Sequence, residues 1–240
     1  MGNSWFQFQQ FRINQDRCAM KISTDAILLG SLAAANGPAR ILDIGTGTGV
    51  IALMLAQRFG EAMVSAVELD EIAAGQAEEN FRESQFATRL SLIQGKFQDF
   101  PEAGKFDLIV SNPPFFPEHL KSQDPKRNQA LHTDTLSFSD LIQKTSRMLS
   151  GLGTFWVILP PRQMQDFEVL AKQSGLFRFR KVTVRDSSSK TPYREVGGFS
   201  FSKAELQSRA LILKEETGGY TADYANLLSG FLLGYGEKSV

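Results

Sequence analysis

Ile41-Leu42-Asp43-Ile44-Gly45-Thr46-Gly47-Thr48-Gly49-Val50 joins a short apolar run to three alternating glycines. The apolar run reads as a buried strand, and the glycines as a turn feeding a helix over 50–58 that closes near Gly60. Glycine has no Cβ and adopts left-handed backbone at little cost, so such a turn lets the chain approach a ligand closely. The helix behind it offers unpaired N–H groups at its start. A nucleotide-like ligand is therefore expected at this edge of an open sheet.

The spacing is Gly45-x-Gly47-x-Gly49 rather than the G-x-G-x-x-G of dinucleotide sites, which favours a cofactor smaller than a pyrophosphate. Glu68 ends the next expected strand, 23 residues after Gly45, where a carboxylate can accept hydrogen bonds from both hydroxyls of a ribose. NAD and S-adenosylmethionine both carry that ribose. Asp43 has two readings: it pairs an ammonium group at the methionine end of S-adenosylmethionine, or it tethers the glycine loop through backbone N–H groups. A plain glycine turn beside a solvated acid is the alternative for any lone Gly-x-Gly. Asp43, three alternating glycines and Glu68 in register weigh against it.

Working outward, strand and helix patterns alternate: strand 63–68, helix 71–83, strands 90–94 and 106–111, helix 138–149, strand 154–159, and a helix from Pro160-Pro161 that ends near Gly175. Ser137 and Asp140 have capping-box spacing at the start of the 138–149 helix. Alternation of this kind implies a mostly parallel sheet with helices on both faces. Stretches 177–184, 195–202 and 210–213 are β-rich and predict an antiparallel edge to the same sheet, before a terminal helix over about 221–233. Ahead of the glycine loop, Phe6, Phe8, Phe11 and Ile13 alternate with polar residues as in a short strand or hairpin, and Thr24 resembles a helix cap.

Apolar residues make up 42% and charged residues 22% of the 240, the composition of one soluble globular domain. Lys plus Arg equals Asp plus Glu at 26 each, so nucleic-acid binding has to come from a local patch. Cys18 is the only cysteine, and His119 and His132 have no cysteine companions; a zinc site is not expected. No signal-peptide pattern opens the sequence and no apolar run is long enough to span a bilayer, which predicts a cytoplasmic protein without a membrane partner.

The 106–111 strand runs directly into Asn112-Pro113-Pro114-Phe115, again at the edge where ligands bind. Two prolines stiffen that loop. An exocyclic amine on adenine is a poor nucleophile because its lone pair is delocalised into the ring, and two aimed acceptors can turn that lone pair toward a methyl donor. The Asn112 side-chain oxygen and the Pro113 carbonyl are the candidates, holding the nitrogen in line and stabilising the positive charge that develops. Phe115 would stack on a base turned out of its own stack, or simply pack in a core. A turn after a strand is the bland reading of Asn-Pro-Pro, and its position behind a glycine-rich loop reverses the odds.

The Asp43-to-Gly49 loop together with Asn112-Pro113-Pro114-Phe115 resembles the signature of amino-directed class I methyltransferases, a group with adenine-N6 enzymes and glutamine-N5 protein methyltransferases. Phe11 to Asp16, Met20 to Gly30, Ile41 to Gln57, His132 to Leu141 and the tail Gly219-Tyr-Thr-Ala-Asp-Tyr-Ala-Asn-Leu-Leu are similar to the tRNA(Val) adenine-37 N6-methyltransferase family. Many relatives carry Tyr where this chain has Phe115; stacking survives that change and a phenolic role does not. The resemblance implies a Rossmann-like α/β fold with a mostly parallel seven-stranded sheet, organised as a single domain with an N-terminal extension (1–37) and a catalytic core (38–240). It implies S-adenosylmethionine as cofactor, held by Asp43, Gly45, Thr46, Gly47, Gly49 and Glu68, with Asp99 near its adenine and Thr24 and Asp25 bordering it. The implied substrate is adenine 37 of tRNA1(Val), with no metal required.

Residues 172–194 hold Lys172, Arg178, Arg180, Lys181, Arg185, Lys190 and Arg194 against Asp186 alone, a local balance of +6 and a candidate phosphate-binding surface. Lys121, Lys126 and Arg127 oppose only Asp124 after the catalytic loop. An RNA adenine methyltransferase predicts that Arg180 or Lys181 to Glu weakens RNA binding. A glutamine-N5 protein methyltransferase would not need these segments, and a non-catalytic cofactor- or RNA-binding module would not need Asn112.

Overall fold

The computed structural model describes residues 3–18, 21–114 and 136–235; Phe115 and the basic residues at 121, 126 and 127 lie outside them. Two antiparallel strands, β1 (Trp5–Gln7) and β2 (Arg12–Asn14), precede helix α1 (Thr24–Leu32). Then come β3 (Arg40–Ile44), α2 (Val50–Arg58), β4 (Met63–Glu68), α3 (Glu71–Glu83), β5 (Leu90–Gln94) and β6 (Phe106–Ser111). The chain continues through α4 (Phe138–Met148), β7 (Leu149–Leu159), α5 (Pro161–Gln173), β8 (Phe177–Arg185), β9 (Arg194–Ser200), β10 (Gln207–Ile212) and α6 (Ala222–Leu228).

Helix starts carry local signals. Asp70 accepts from Ala73 N–H ahead of α3, and Ser137 accepts from Asp140 N–H ahead of α4, where the capping box was expected. Pro161 opens α5 at the position where its missing N–H costs nothing. At α1 the cap is Ser23, not Thr24: Ser23 is extended at φ −108°, ψ 156°, and its hydroxyl accepts from Ala26 N–H.

Eight strands form the main sheet in the order β10-β8-β9-β7-β6-β3-β4-β5. The α/β class stands as expected, with two differences. The sheet has eight strands rather than seven, and its one antiparallel member, β9, is internal, paired to β7 and β8. The outer strand β10 runs parallel to β8. The loop between β8 and β9 is short enough to return the chain as a hairpin, whereas the β9–β10 connection carries it past β8 to the outer edge, where β10 runs parallel to β8.

One core lies on the α1, α2 and α3 face and includes Leu28, Leu53, Val110 and Val182; another lies under α4 and α5 around Phe155, Phe167 and Phe199. The N-terminal hairpin is built into the first core through Phe8, Phe11 and Ile13. It also meets the far end of the chain: Gln9 N–H donates to Phe231 O at 2.8 Å, and the Gln9 side chain donates to Ser229 O and Leu232 O. Among the described residues, no helix is long and apolar enough to cross a membrane.

Candidate functional site

From β3 the chain fills β4 and β5 on one side, then crosses back to place β6 and β7 on the other. The carboxyl ends of β3 and β6 therefore flank the topological switch point, where open α/β sheets hold their ligands. Ile44 is in register with Ser111, and Ser111 Oγ donates to Ile44 O at 3.0 Å. Gly45 and Asn112 are each the next residue, so the glycine loop and the Asn-Pro-Pro loop leave the sheet side by side. Asn112 is half-buried, Pro113 buried and Pro114 exposed.

Gly45, Gly47 and Gly49 have φ of +71°, +58° and +85°. A Cβ on Gly45 or Gly47 would meet nothing within 4 Å, so the loop presents open space there, while one on Gly49 would lie 2.5 Å from the Phe81 ring. The first two leave room for a ligand and the third packs the loop against α3.

Asp43 is fully buried. Its Oδ2 accepts from Thr46 Oγ1 at 2.6 Å and from Ala52 N–H at 3.1 Å, so it tethers the loop and caps the first turn of α2 from outside. Its Oδ1 is buried with no partner among the described residues. Burial pushes the carboxyl up to about 7; the Thr46 and Ala52 hydrogen bonds oppose this and the Glu68 charge adds to it.

Glu68, at the end of β4, is oriented by backbone: Oε2 accepts from Gly47 N–H at 2.8 Å and Oε1 from Asp70 N–H at 2.9 Å. Each oxygen keeps a further lone pair for a donor outside the protein. The open flank of Gly45 and Gly47, the aimed Glu68 carboxylate and the orphaned Asp43 oxygen suit a ribose-bearing, positively charged cofactor. Asp99 ends a short 3-10 turn after β5 and is exposed. Thr24 and Asp25 open α1 at the same edge of the sheet, where Asp25 Oδ2 accepts from Arg194 Nε at 2.6 Å. Arg194 opens β9, next to Glu195, which is in register with Leu159 at the end of β7.

Sequence reasoning missed one support. Asn80 on α3 is 1% exposed; it donates to Thr48 O in the glycine loop and to Asn14 O, and accepts from Asn14 N–H. It locks the loop to the N-terminal hairpin, and no local motif announces it. Cys18 passes beside the same edge: burial pushes its thiol up, and the charges of Asp70 and Glu68 add to this.

The +6 segment does not form one basic face. Arg178 is held by Glu195 at 2.9 Å and Glu168 at 3.1 Å, and Lys181 by Glu195 at 3.0 Å. Asp186 pairs with Lys214 and Asp25 with Arg194. Arg180 shares strand parity with Val182 and Val184 and lies on the α1 face, away from the Glu195 cluster. Among the described residues, no group of three or more metal-ligand side chains comes together.

A mostly parallel sheet with a glycine loop and an Asn-Pro-Pro loop meeting at its switch point defines a Rossmann-like methyltransferase, and residues 21–183 match the methyltransferase small domain family. The fold is shared with a predicted O-methyltransferase from Agrobacterium tumefaciens, with a TM-score of 0.66 and 23% identity over 86% of this chain and 96% of that one. The tRNA1(Val) (adenine(37)-N6)-methyltransferase of Pedobacter heparinus is 42% identical over 230 residues, 96% of this chain and 98% of that protein. Its namesake in Trichodesmium erythraeum is 41% identical over 239 residues, 98% and 100% of the two chains. The chain belongs to the tRNA1(Val) (adenine(37)-N6)-methyltransferase family.

Proposed function

We propose that this chain, in the cytoplasm, transfers the methyl group of S-adenosylmethionine to N6 of adenine 37 in tRNA1(Val). The observation that carries the reading is the side-by-side exit of Gly45 and Asn112 from the register pair Ile44–Ser111. It supports a reading in which the loop from Gly45 holds the cofactor beside Asn112 and Pro113 as acceptors for a planar amine.

The cofactor supplies an electrophilic methyl group when bound. Glu68 accepts the ribose hydroxyls, Gly45, Thr46 and Gly47 give the backbone its close approach while Gly49 seats that cofactor loop against α3, and Asp43 Oδ1 is the free acceptor for a positive group. Asp99 serves the adenine end, and Thr24 and Asp25 border the site. On the substrate side, Asn112 Oδ1 and the Pro113 carbonyl accept the two N–H bonds of the adenine amine. That turns its lone pair toward the methyl carbon and stabilises the charge that grows on nitrogen. Pro113 and Pro114 hold the acceptors still, and Phe115 stacks the extruded base. Residues 1–37 form an extension folded onto the catalytic core 38–240 as one domain.

Asn112→Ala is expected to cut kcat by about 10²–10³ while S-adenosylmethionine affinity stays within about twofold of the parent, measured with radiolabelled cofactor and separated tRNA, rRNA, DNA and protein fractions. Label in a protein fraction and none in tRNA would replace this reading with glutamine-N5 methylation. Undiminished turnover by the variant would remove catalysis from the loop.

A further inference from the structure

Where α1 ends, away from the glycine loop, a cavity of about 570 Å³ opens between that helix, β7, β8, β10 and α6. Its lining includes Arg180, Arg209 and Gln207 beside an apolar strip of Phe179 and Val182; among the described residues, no acidic residue lines it. Among the described residues, neither arginine is paired with a carboxylate, although Arg178 and Lys181 on the same strand are neutralised by Glu195. Ser31, whose buried hydroxyl has no hydrogen-bond partner among the described residues, sits in the same wall.

Two uncompensated guanidiniums in an acid-free hollow, on a chain of zero net charge, select an anion. A planar fork of N–H donors fits phosphate oxygens in pairs. The volume falls within the roughly 300–1,000 Å³ of small-molecule sites, and the apolar strip beside the arginines accommodates a flat ring against Phe179. Gln207 provides both a donor and an acceptor for a ring edge. The cavity is separate from the methyl-transfer site: α1 runs from Asp25 at the catalytic edge to Leu32 in the cavity wall, roughly 10 Å at the rise of an α-helix.

We propose that this cavity is a second ligand site, taking a phosphorylated nucleoside unit, either a free mononucleotide or one nucleotide of an RNA chain. Trp156 lies in the wall and is one of two tryptophans, so in Trp5→Phe its fluorescence reports the site alone. AMP, added with S-adenosylhomocysteine saturating the cofactor site, is expected to change that emission saturably. Orthophosphate should bind at least about tenfold more weakly, and Arg180→Gln/Arg209→Gln should weaken AMP by about tenfold or more, a tenfold loss in affinity being the scale of one charge-assisted contact. Arg209→Gln alone, at an exposed position, should weaken AMP without altering the melting temperature. If AMP competes with tRNA in the methylation assay and Arg180→Gln/Arg209→Gln abolishes that competition, the site receives an RNA nucleotide; if no competition depends on the two arginines, the ligand is free. No saturable signal up to about 5 mM AMP, displacement by S-adenosylhomocysteine, equal binding of orthophosphate, or unchanged affinity in the double variant would each overturn the assignment. None of these results bears on methyl transfer, which the Asn112 variant tests separately.

Discussion

Replacing Gly49 and Gly47 in turn by alanine separates a packing glycine from a binding one. Both have positive φ, +85° and +58°, so each alanine incurs about 1–2 kcal/mol for left-handed backbone. At Gly49 the new methyl would also lie 2.5 Å from Phe81 Cε1, with two more ring atoms at 3.2 and 3.3 Å. Phe81 is 4% exposed and has little room to retreat, which adds about 1–3 kcal/mol of overpacking. Gly49→Ala should therefore lose about 2–5 kcal/mol and Gly47→Ala only about 1–2 kcal/mol. At roughly 2–4 °C per kcal/mol for a chain of this size, the first variant melts about 10 °C below the parent and the second about 4 °C below. Cofactor binding should rank the other way. Gly47→Ala puts its methyl into the open space beside the Glu68-bonded amide, and calorimetric titration with S-adenosylmethionine should read an affinity loss of about tenfold or more. Equal melting temperatures for the two variants, or parental cofactor affinity in Gly47→Ala, would refute the division of labour.

Glu68→Gln replaces a carboxylate aimed by two N–H groups with an amide that must turn a donor toward one of them; cofactor affinity should drop about tenfold to a hundredfold, and a binding isotherm matching the parent's would remove Glu68 from the site. The Asp43 carboxyl titrates near 3.8 in the unfolded chain and about 7 when folded, so the folded state holds the proton more tightly. The cofactor-free protein should lose stability as pH rises through that window, with a slope approaching about 1.4 kcal/mol per pH unit from this group; chemical denaturation at pH 5, 6, 7 and 8 should find the slope reduced in Asp43→Asn, and identical slopes would contradict the assignment. Glu195→Ala leaves Arg178, its side chain 4% exposed, with Glu168 alone, and should cost about 3 kcal/mol of unfolding free energy; an unchanged denaturation midpoint would count against the buried pair.

The parts of the site that were legible are those whose geometry is carried by residue type. Alternating glycines require a turn of left-handed residues, paired prolines stiffen the segment after Asn112, and Glu68 closes a strand whose apolar pattern is strong. The Ser137–Asp140 box and the β3-to-β6 alternation were legible for the same reason. The features that escaped depend on partners distant in sequence. β9 reads as a strand, but its direction and its internal position come from pairing with β7 and β8 rather than from its composition. The +6 balance over 172–194 began four residues past Glu168 and stopped one residue short of Glu195, the two acids that hold Arg178. Asp25 meets Arg194 across 169 positions, and Asn80 reaches back 66 to Asn14. At α1, two adjacent hydroxyls were equally good caps by type, and only the extended backbone of Ser23 decided between them.

The clasp between Gln9 and residues 229–232 bears on how the molecule is made. During synthesis, Phe8 and Phe11 emerge some 220 positions before the carbonyls that Gln9 must reach, so the hairpin waits for a segment made long after it. A truncation ahead of Ser229 would remove the acceptors of Gln9 and leave the hairpin held by its core contacts and by Asn80. The last clasp of the fold is therefore made only once residues 229–232 are in place.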